Sequence, residues 1–230
     1  TIRHGNQTIH EKWDPSTAIL AGDGIYTIAQ IILNEISSNS ALLSKYFNKT
    51  TLEICEGQAL DKEFENNHDI DRKMYLDMIN KKTGSLLGAS AALPIIYNGG
   101  SKEQIYIYEQ FGRNLGMGFQ MHDDLLEITA DTETMGKSLG SDIYEGKQTI
   151  MVILARESYP DEWRDLLNLS ENNELIKNIY NFFKEKNIIE ETRSISDAYF
   201  KASLNFLKKL DDINTEELVQ LVHLIKKRTF

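Results

Sequence analysis

The 230 residues carry 25 Lys and Arg against 35 Asp and Glu, a formal net charge of −10. This acid excess argues against a broad basic face, so we expect neither nucleic acid nor an anionic membrane as a partner. Hydrophobic residues make up 41% and charged residues 26%, which is ordinary for a globular protein and excludes intrinsic disorder. The length is compatible with one domain or two, but only 3 Pro and 14 Gly argue against a long flexible linker.

The single cysteine, Cys55, excludes an intrachain disulfide and a cysteine-rich zinc site. The chain opens on Thr1 without an initiator Met or a signal sequence. The single cysteine fits a protein of the reducing cytoplasm. The longest weakly polar run, residues 85–97, is too short to span a bilayer and contains Pro94, so we expect no transmembrane helix.

Apolar residues recur with a helical period along nearly the whole chain. Asp14 and Pro15 form a cap and first-turn signature for a helix that reaches Ile36. Further helices are predicted over residues 41–65, 71–96 with a kink at Pro94, 101–127, 149–168 with a break near Pro160, 170–186, 190–210 and 215–227. Residues 129–147 are polar and lack a sustained period, which predicts a loop. The pattern indicates an all-α fold of roughly eight helices without alternating strands.

The end of the helix predicted over residues 101–127 carries the most informative pattern. Asp123 and Glu127 lie one turn apart on the same helix face, with Gln120 one turn earlier and Asp124 about 100° round. Two carboxylates stacked in this way repel each other unless a cation lies between them, and hard oxygen ligands suit Mg²⁺. Taken alone, the pattern favours an exposed acidic helix end; a metal site is the alternative.

Glycines within the same helix change that balance. Gly112, Gly116 and Gly118 each cost about 0.8–1.0 kcal/mol relative to alanine in a helix interior. We therefore expect another backbone or a ligand to approach this helix closely, and tight helix packing accounts for at least one of the three. A di-iron site is excluded, because such bundles need two Glu-x-x-His pairs and the chain has one, at Glu65 and His68.

Lysines flank the acidic helix end in the sequence. Residues 136–149 hold Lys137 and Lys147, but Gly-Lys-Ser at 136–138 lacks the glycine spacing and the preceding strand of a nucleotide-binding loop. Lysines beside a carboxylate pair can still bind a diphosphate, with metal on one side and ammonium groups on the other. Lys82 lies before a small, apolar run at 85–90, which suits a ligand with an anionic head and a hydrocarbon tail. Simple solvated lysines are the alternative in both places.

Several motifs together resemble the trans-isoprenyl diphosphate synthases, also called polyprenyl synthetases. The matching segments follow the order of that family: Arg3-His4-Gly5 with Thr8-Ile9-His10, Ala18-Ile19-Leu20-Ala21-Gly22-Asp23, Glu56-Gly57-Gln58, Lys82-Thr83-Gly84, Phe119-Gln120 with Asp123-Asp124, and Gly136-Lys137 through Gly140-Ser141-Asp142 to Gly146-Lys147-Gln148-Thr149. The resemblance implies an all-α isoprenoid synthase helical bundle with a central prenyl diphosphate cavity. It implies a single domain over residues 1–230 that lacks the N-terminal helices of the family.

The resemblance also implies an activity. Members of the family condense an allylic prenyl diphosphate with isopentenyl diphosphate, which gives a longer trans-prenyl diphosphate and releases diphosphate. Mg²⁺ held by two aspartate-rich motifs assists ionisation of the allylic substrate, and the enzymes are homodimers. We therefore expect a Mg²⁺-dependent prenyltransferase that uses these two substrates and forms a homodimer.

Site residues follow from the positions that match. Asp123, Asp124 and Glu127 correspond to the second aspartate-rich motif and are the expected metal ligands, with Asp123 binding the metal directly. The expected catalytic residues are Lys82, Thr83, Gln120 and Asp123. The expected substrate-binding residues are Arg3, Lys82, Thr83, Phe119, Gln120, Lys137 and Lys147, with the cations on the diphosphate and Phe119 near the isoprene units.

The chain departs from the family pattern in three ways. The first aspartate-rich motif, which would end just before Thr1, is absent, and we expect the 230-residue chain alone to be impaired. His4 stands where the family has a second arginine, and Glu127 replaces an aspartate. These two residues favour a class I terpene synthase, whereas the segments with Lys82-Thr83 and residues 136–149 argue against that class. The other alternative is a non-catalytic subunit of a prenyl diphosphate synthase.

Overall fold

The computed structural model describes residues 2–3, 5–129, 143, 145–169, 174–210 and 213–228. A short antiparallel hairpin, β1 (Ile2–Arg3) and β2 (Asn6–Gln7), precedes a series of helices, as the helical periodicity predicts. The helices are α1 (Ile9–Lys12), α2 (Pro15–Glu35), α3 (Ser40–Phe64), α4 (Arg72–Ile79), a π-turn (Asn80–Gly84), α5 (Ser85–Tyr97), α6 (Lys102–Thr129), α7 (Ile150–Ser158), α8 (Pro160–Leu169), α9 (Leu175–Glu185), α10 (Ile188–Leu207) and α11 (Glu216–Lys226). The loop predicted over 129–147 lies largely outside the described residues.

Two helix starts have the side-chain caps that the sequence favours. Asp14 accepts hydrogen bonds from the Thr17 backbone N–H at 2.8 Å and from the Thr17 hydroxyl at 2.7 Å. These bonds hold the pKa of the Asp14 carboxyl below its ordinary value. Asp71 caps α4 in the same way, accepting from the Met74 N–H at 2.8 Å. Both helices therefore begin at the residue after an aspartate.

The long helix predicted over residues 71–96 is interrupted at a different place from the one expected. Pro94 lies inside α5, where it removes a single backbone donor near the helix end. The break lies instead at the π-turn, where the Ser85 N–H donates to the carbonyl of Asn80, five residues earlier. Such widened turns are rare and occur frequently at functional sites. This one contains Lys82 and Thr83.

Helix α6 lies at the centre of the fold, between α5 on one side and α10 on the other. A Cβ placed on Gly112 would lie 2.2 Å from the Leu87 carbonyl oxygen of α5. A Cβ on Gly116 would lie 2.9 Å from the Gly84 Cα, and one on Gly118 would lie 3.1 Å from the Phe200 ring of α10. Each of the three glycines therefore allows another part of the chain to approach, and helix packing explains all of them.

Two apolar clusters flank α6. The larger joins α3, α4 and α6 to α7, α8, α9 and α10, and its fully buried members include Met121, Ile153 and Phe183. Trp163 of α8 stacks on Phe183 with ring centroids 5.6 Å apart. The smaller cluster joins α6, α10 and α11. Four of the polar residues predicted to form a site, Lys82, Thr83, Gln120 and Asp124, lie beside the larger cluster, where α3, α4 and the π-turn meet α6.

None of the residues of helix α2 is buried, although the helix is 21 residues long. It is the one helix among the described residues that is long and apolar enough to cross a membrane, judged by length and composition only. The absence of such a helix, expected from the sequence, is therefore not confirmed. In the structure α2 packs against α3, where Tyr26 stacks on Phe47 with ring centroids 6.0 Å apart.

Candidate active site

A small pocket of about 60 Å³ opens between α3, α4, the π-turn, α6 and the segment before α7. Its polar lining combines the carboxylates of Asp61 and Asp124 with the ammonium groups of Lys82 and Lys147. Its other lining residues are Phe64, Tyr75, Met78, Ile79, Gln120 and Gln148. The structure thus brings together four of the residues predicted from sequence, Lys82, Gln120, Asp124 and Lys147, from three separate parts of the chain.

Hydrogen bonds link the π-turn to the acidic end of α6. The Thr83 hydroxyl donates to Gln120 Oε1 at 2.9 Å, and Gln120 Nε2 donates to Asp124 Oδ1 at 3.0 Å. The buried Tyr75 hydroxyl donates to Asp124 Oδ2 at 2.6 Å. Asp124 is only 6% exposed, so these two donors help to compensate for its burial. Both carboxylate oxygens of Asp124 accept a hydrogen bond.

Lys82 reaches the pocket from the π-turn. Its Nζ donates to Asp61 Oδ2 at 2.7 Å, and the Asp61 side chain is 13% exposed. Gln58 Nε2 donates to the same oxygen at 3.3 Å. Helix α3 can lie this close because Gly57 has no side chain: a Cβ there would be 2.3 Å from the Lys82 backbone nitrogen. The ammonium group is therefore placed by a carboxylate and by a glycine, both on α3.

Lys147 is placed by its neighbours in the segment before α7. Gly146 has φ +73°, a left-handed conformation that suits glycine, and its carbonyl accepts from the Asn66 N–H at 2.9 Å. Gln148 Nε2 donates to the same carbonyl at 2.9 Å, and its Oε1 accepts from Arg156 Nη1 at 2.6 Å. This anchoring brings Lys147 to the pocket, where its Nζ also lies 3.2 Å from Glu145 Oε2.

Asp123 lies on the outer side of the same helix turn. Its Oδ1 is 3.3 Å from Arg228 Nη1, and the Asp123 side chain is 38% exposed. The Arg228 guanidinium also lies 5.7 Å from the centroid of the Phe119 ring, and its backbone carbonyl is 2.9 Å from His122 Nε2. The segment after α11 therefore contacts two predicted site residues, Phe119 and Asp123, and also His122, and none of the three lines the small pocket.

The remaining predicted residues are not gathered in the pocket. Arg3 is exposed in β1 and does not line the pocket, and Glu127 is half-buried one turn beyond Asp123. Lys137 lies outside the described residues. The roles assigned to all these side chains remain predictions.

The carboxylates can be tested for their fit to a metal ion. Among the residues that the structure describes, no group of three or more His, Cys, Asp or Glu side chains could hold a metal by itself. Asp123 and Glu127 offer two hard oxygen ligands, and Mg²⁺ commonly takes one or two carboxylates, water and substrate phosphate. The donor set therefore suits Mg²⁺ that binds together with a diphosphate, and it does not suit a metal held by protein alone.

Three residues of this region were not predicted from the sequence. Asp61 lies three residues after Gln58 on one face of α3, and this spacing alone places it beside a residue of a matching segment. Tyr75 belongs to an apolar stripe of α4 and is indistinguishable from a core residue until α6 is placed beside it. Arg228 follows the last helix, and only the tertiary fold brings it to Asp123.

Comparison with known proteins identifies what this arrangement is similar to. The family model described as polyprenyl synthetase matches residues 1–183. A short chain isoprenyl diphosphate synthase of Methanothermobacter thermautotrophicus is 33% identical over 226 residues, which cover 96% of this chain and 70% of that protein. A geranylgeranyl diphosphate synthase of Methanosarcina mazei is 42% identical over 159 residues, covering 68% of this chain and 49% of that protein.

The solved structures agree with the sequence relatives. A geranylgeranyl pyrophosphate synthetase from Pyrococcus horikoshii superposes with a TM-score of 0.89 at 30% identity, over 99% of this chain and 72% of that one. The chain thus spans from about half to seven tenths of these proteins, at 49%, 70% and 72% of their lengths. The predicted all-α fold is confirmed.

Proposed function

Because the chain belongs to the polyprenyl synthetase family of trans-prenyltransferases, we propose that it condenses an allylic prenyl diphosphate with isopentenyl diphosphate. The observation that carries the proposal is the pocket in which Lys82 and Lys147 face Asp124, with Thr83 and Gln120 joined to it by hydrogen bonds. Cations beside an anchored carboxylate suit a ligand that carries a diphosphate together with a metal ion.

The chemistry follows from what these groups can do. The C–O bond of the allylic diphosphate breaks, diphosphate departs with the electron pair, and an allylic carbocation remains. The double bond of isopentenyl diphosphate supplies the electrons of the new C–C bond, and loss of a proton restores an alkene one C5 unit longer. Lys82 and Lys147 would stabilise the negative charge that develops on the departing diphosphate. Electrostatic stabilisation of this kind, by groups held in place before the reaction, is usually the largest single contribution to catalysis.

Mg²⁺ is the cofactor that we propose, with Asp123 and Glu127 as its ligands from this chain. When bound, it would supply positive charge to the diphosphate oxygens. Asp124 is committed to Tyr75 and Gln120 at 2.6 and 3.0 Å. Asp124 would therefore not bind the metal directly, but would orient Gln120 and water bound to the metal.

The test measures product formation by the protein expressed from its complete reading frame. Support is an elongated prenyl diphosphate whose formation requires both diphosphate substrates and Mg²⁺. A hydrocarbon or alcohol formed from the allylic diphosphate alone would identify a terpene synthase instead. Absence of turnover, combined with activation of an added prenyl diphosphate synthase, would identify a non-catalytic subunit. Either of the latter results overturns the proposal.

Removing Arg228 should strengthen metal binding. Its guanidinium lies 3.3 Å from Asp123, so a metal at this carboxylate must compete with a cation of the chain. Exposed ion pairs contribute about 0.2–1 kcal/mol, so Arg228→Ala should raise the Mn²⁺ affinity by about 1.4- to fivefold, with pyrophosphate present. Calorimetric titration with Mn²⁺ measures the change. Arg164→Ala, which removes an exposed ion pair to Asp161 at 2.7 Å on α8, is the control and should leave affinity unchanged. Equal affinities for all three proteins would contradict the competition.

We also propose that the protein is a homodimer joined through α2. Six large aliphatic side chains of this helix are exposed: Ile19, Leu20, Ile25, Ile28, Ile31 and Ile32. Exposed apolar side chains concentrated on one helix mark an interface. A second copy fits better than a membrane, because Asp23 lies at mid-helix, where a charge in the bilayer costs about 2.5–3.5 kcal/mol. Gln30 also forms a hydrogen bond to Asn48 of α3 at 2.6 Å, which ties the helix to the globular part.

Ile28→Lys should convert the dimer to a monomer. Ile28 is 57% exposed within one chain, and a lysine there would place a charge on each side of the proposed interface. Light scattering during size-exclusion chromatography gives the mass. Leu224→Lys is the matched control, since Leu224 is 70% exposed on α11 and should not affect association. A wild-type protein that elutes as a monomer, or a dimer insensitive to Ile28→Lys, would exclude this interface.

A further inference from the structure

A second polar cluster lies behind the pocket, at the point where the π-turn joins α5. Arg113 of α6 donates from Nη2 to Glu53 Oε2 at 2.6 Å and from Nη1 to Ser85 Oγ at 3.1 Å. Its Nε donates to Glu109 Oε1 at 2.8 Å. The Ser85 hydroxyl in turn lies 2.8 Å from Glu53 Oε2. One arginine therefore links α3, α5 and α6 at a single serine.

The cluster is largely removed from solvent. The side chains of Arg113 and Glu53 are 17% and 21% exposed, and Ser85 is 1% exposed. Burial opposes the charged form of Glu53, but hydrogen bonds from Arg113 and Ser85 outweigh it, so the pKa of Glu53 lies below its ordinary value. An ion pair buried to this extent is weak evidence for stability, because apolar residues of similar volume often serve as well. Its geometry suggests a different purpose.

That geometry fixes the exit of the π-turn. Ser85 is the residue whose N–H closes the widened turn on the Asn80 carbonyl, and its hydroxyl lies 3.3 Å from the same carbonyl oxygen. The turn is also confined on two sides. A Cβ on Gly57 would be 2.3 Å from the Lys82 nitrogen, and a Cβ on Gly116 would be 3.1 Å from the Thr83 carbonyl oxygen. The side chain of Ser85 is thus held by charged groups two residues after Thr83.

We propose that Glu53, Ser85 and Arg113 are positioning residues that hold the π-turn in register, so that Lys82 and Thr83 face Asp61 and Gln120. The inference rests on the proposed function, because it assigns Lys82 to the diphosphate. None of the three lines the pocket. They act on substrate only through the backbone of the turn, and their loss should resemble a displaced Lys82 ammonium group.

The test measures binding of inorganic pyrophosphate in the presence of Mg²⁺, together with kcat and KM for condensation. Ser85→Ala should weaken pyrophosphate binding and lower kcat by about tenfold each, the usual loss when a supporting hydrogen bond is removed. Glu53→Gln keeps the shape and an acceptor for Ser85, so a smaller loss is expected. Ser203→Ala is the matched control. Ser203 is also fully buried and donates one hydrogen bond, to the Phe200 carbonyl at 2.8 Å, but lies on α10.

A double-mutant cycle separates positioning from general stability. In a Lys82→Met background, Ser85→Ala should cause little further loss of pyrophosphate affinity, because the group it positions is gone. Thermal unfolding of Ser85→Ala and Ser203→Ala should shift to a similar extent. The positioning role is overturned if Ser85→Ala binds pyrophosphate as tightly as the wild type. It is also overturned if Ser85→Ala weakens pyrophosphate binding as much in the Lys82→Met background as in the wild type. If the wild type binds pyrophosphate without forming product, the proposed function fails while the binding cycle still decides this inference.

Discussion

Replacing Lys82 with methionine is expected to lower kcat/KM for the allylic diphosphate by about 10²–10³-fold, the usual cost of removing one preorganised charge-stabilising group. Lys82 Nζ is held 2.7 Å from Asp61 at the edge of the pocket, so its charge is in place before substrate arrives. The substitution also leaves Asp61 without this cation beside the departing diphosphate, which adds repulsion to the lost attraction.

The neighbouring residue provides a matched control. Lys81 belongs to the same π-turn, and the two lysine side chains are equally exposed, at 30%. It points elsewhere, to Asp77 at 3.2 Å and Glu56 at 3.7 Å, and does not line the pocket. Lys81→Met should therefore change kcat/KM by less than about twofold, as expected for an exposed ion pair. Steady-state kinetics at varied allylic diphosphate measure both. Equal losses for the two variants would mean that Lys82 acts only through the charge of the turn.

Much of this site could be predicted because several of its residues are close together in the sequence. Gln120 and Asp124 are one turn apart on any helix, and a helix over residues 101–127 was predicted from its apolar period. Lys82 and Lys147 were predicted as cations for a diphosphate, and the structure brings both to the pocket that Asp124 lines. The fold class likewise followed from periodicity, since few segments of the chain alternate.

What the sequence did not reveal depends on packing between distant segments. The π-turn interrupts the helix predicted over residues 71–96 at Asn80–Gly84, whereas the predicted kink was at Pro94, because Ser85 bonds to Asn80 and to side chains of α3 and α6. No local pattern distinguishes that arrangement from an α-helix. Tyr75 and Arg228 contact Asp124 and Asp123 across 49 and 105 positions of sequence. Only the assembled fold identifies them.

Gly57 shows how strongly the site depends on such packing. Alanine is ordinarily preferred to glycine in a helix by about 0.8–1.0 kcal/mol. At this position its Cβ would lie 2.3 Å from the nitrogen and 2.7 Å from the Cα of Lys82, and both atoms are backbone. Helix α3 and the π-turn must move apart to make room. Gly57→Ala is therefore expected to reduce the free energy of unfolding by about 1–3 kcal/mol, despite its better helix propensity.

The same displacement should also lower activity, because it moves the Lys82 ammonium group away from Asp61. A misplacement of about 1 Å can cost roughly 10²-fold in rate. We expect Gly57→Ala to lose activity by about this factor and to bind pyrophosphate more weakly, at a temperature where the variant remains folded. Circular dichroism gives the unfolding midpoint, and the condensation assay gives kcat.

Gly24→Ala on α2 provides the comparison. Apart from its chain neighbours and the backbone of its own helix, no described atom lies within 4 Å of a Cβ at Gly24, so the substitution should raise the free energy of unfolding by about 0.4–1 kcal/mol. Its activity should be unchanged, provided that light scattering shows the same oligomeric state as the wild type. If Gly57→Ala also raised stability and kept full activity, α3 could not approach the π-turn as closely as described. The placement of Lys82 by Gly57 would then have to be abandoned.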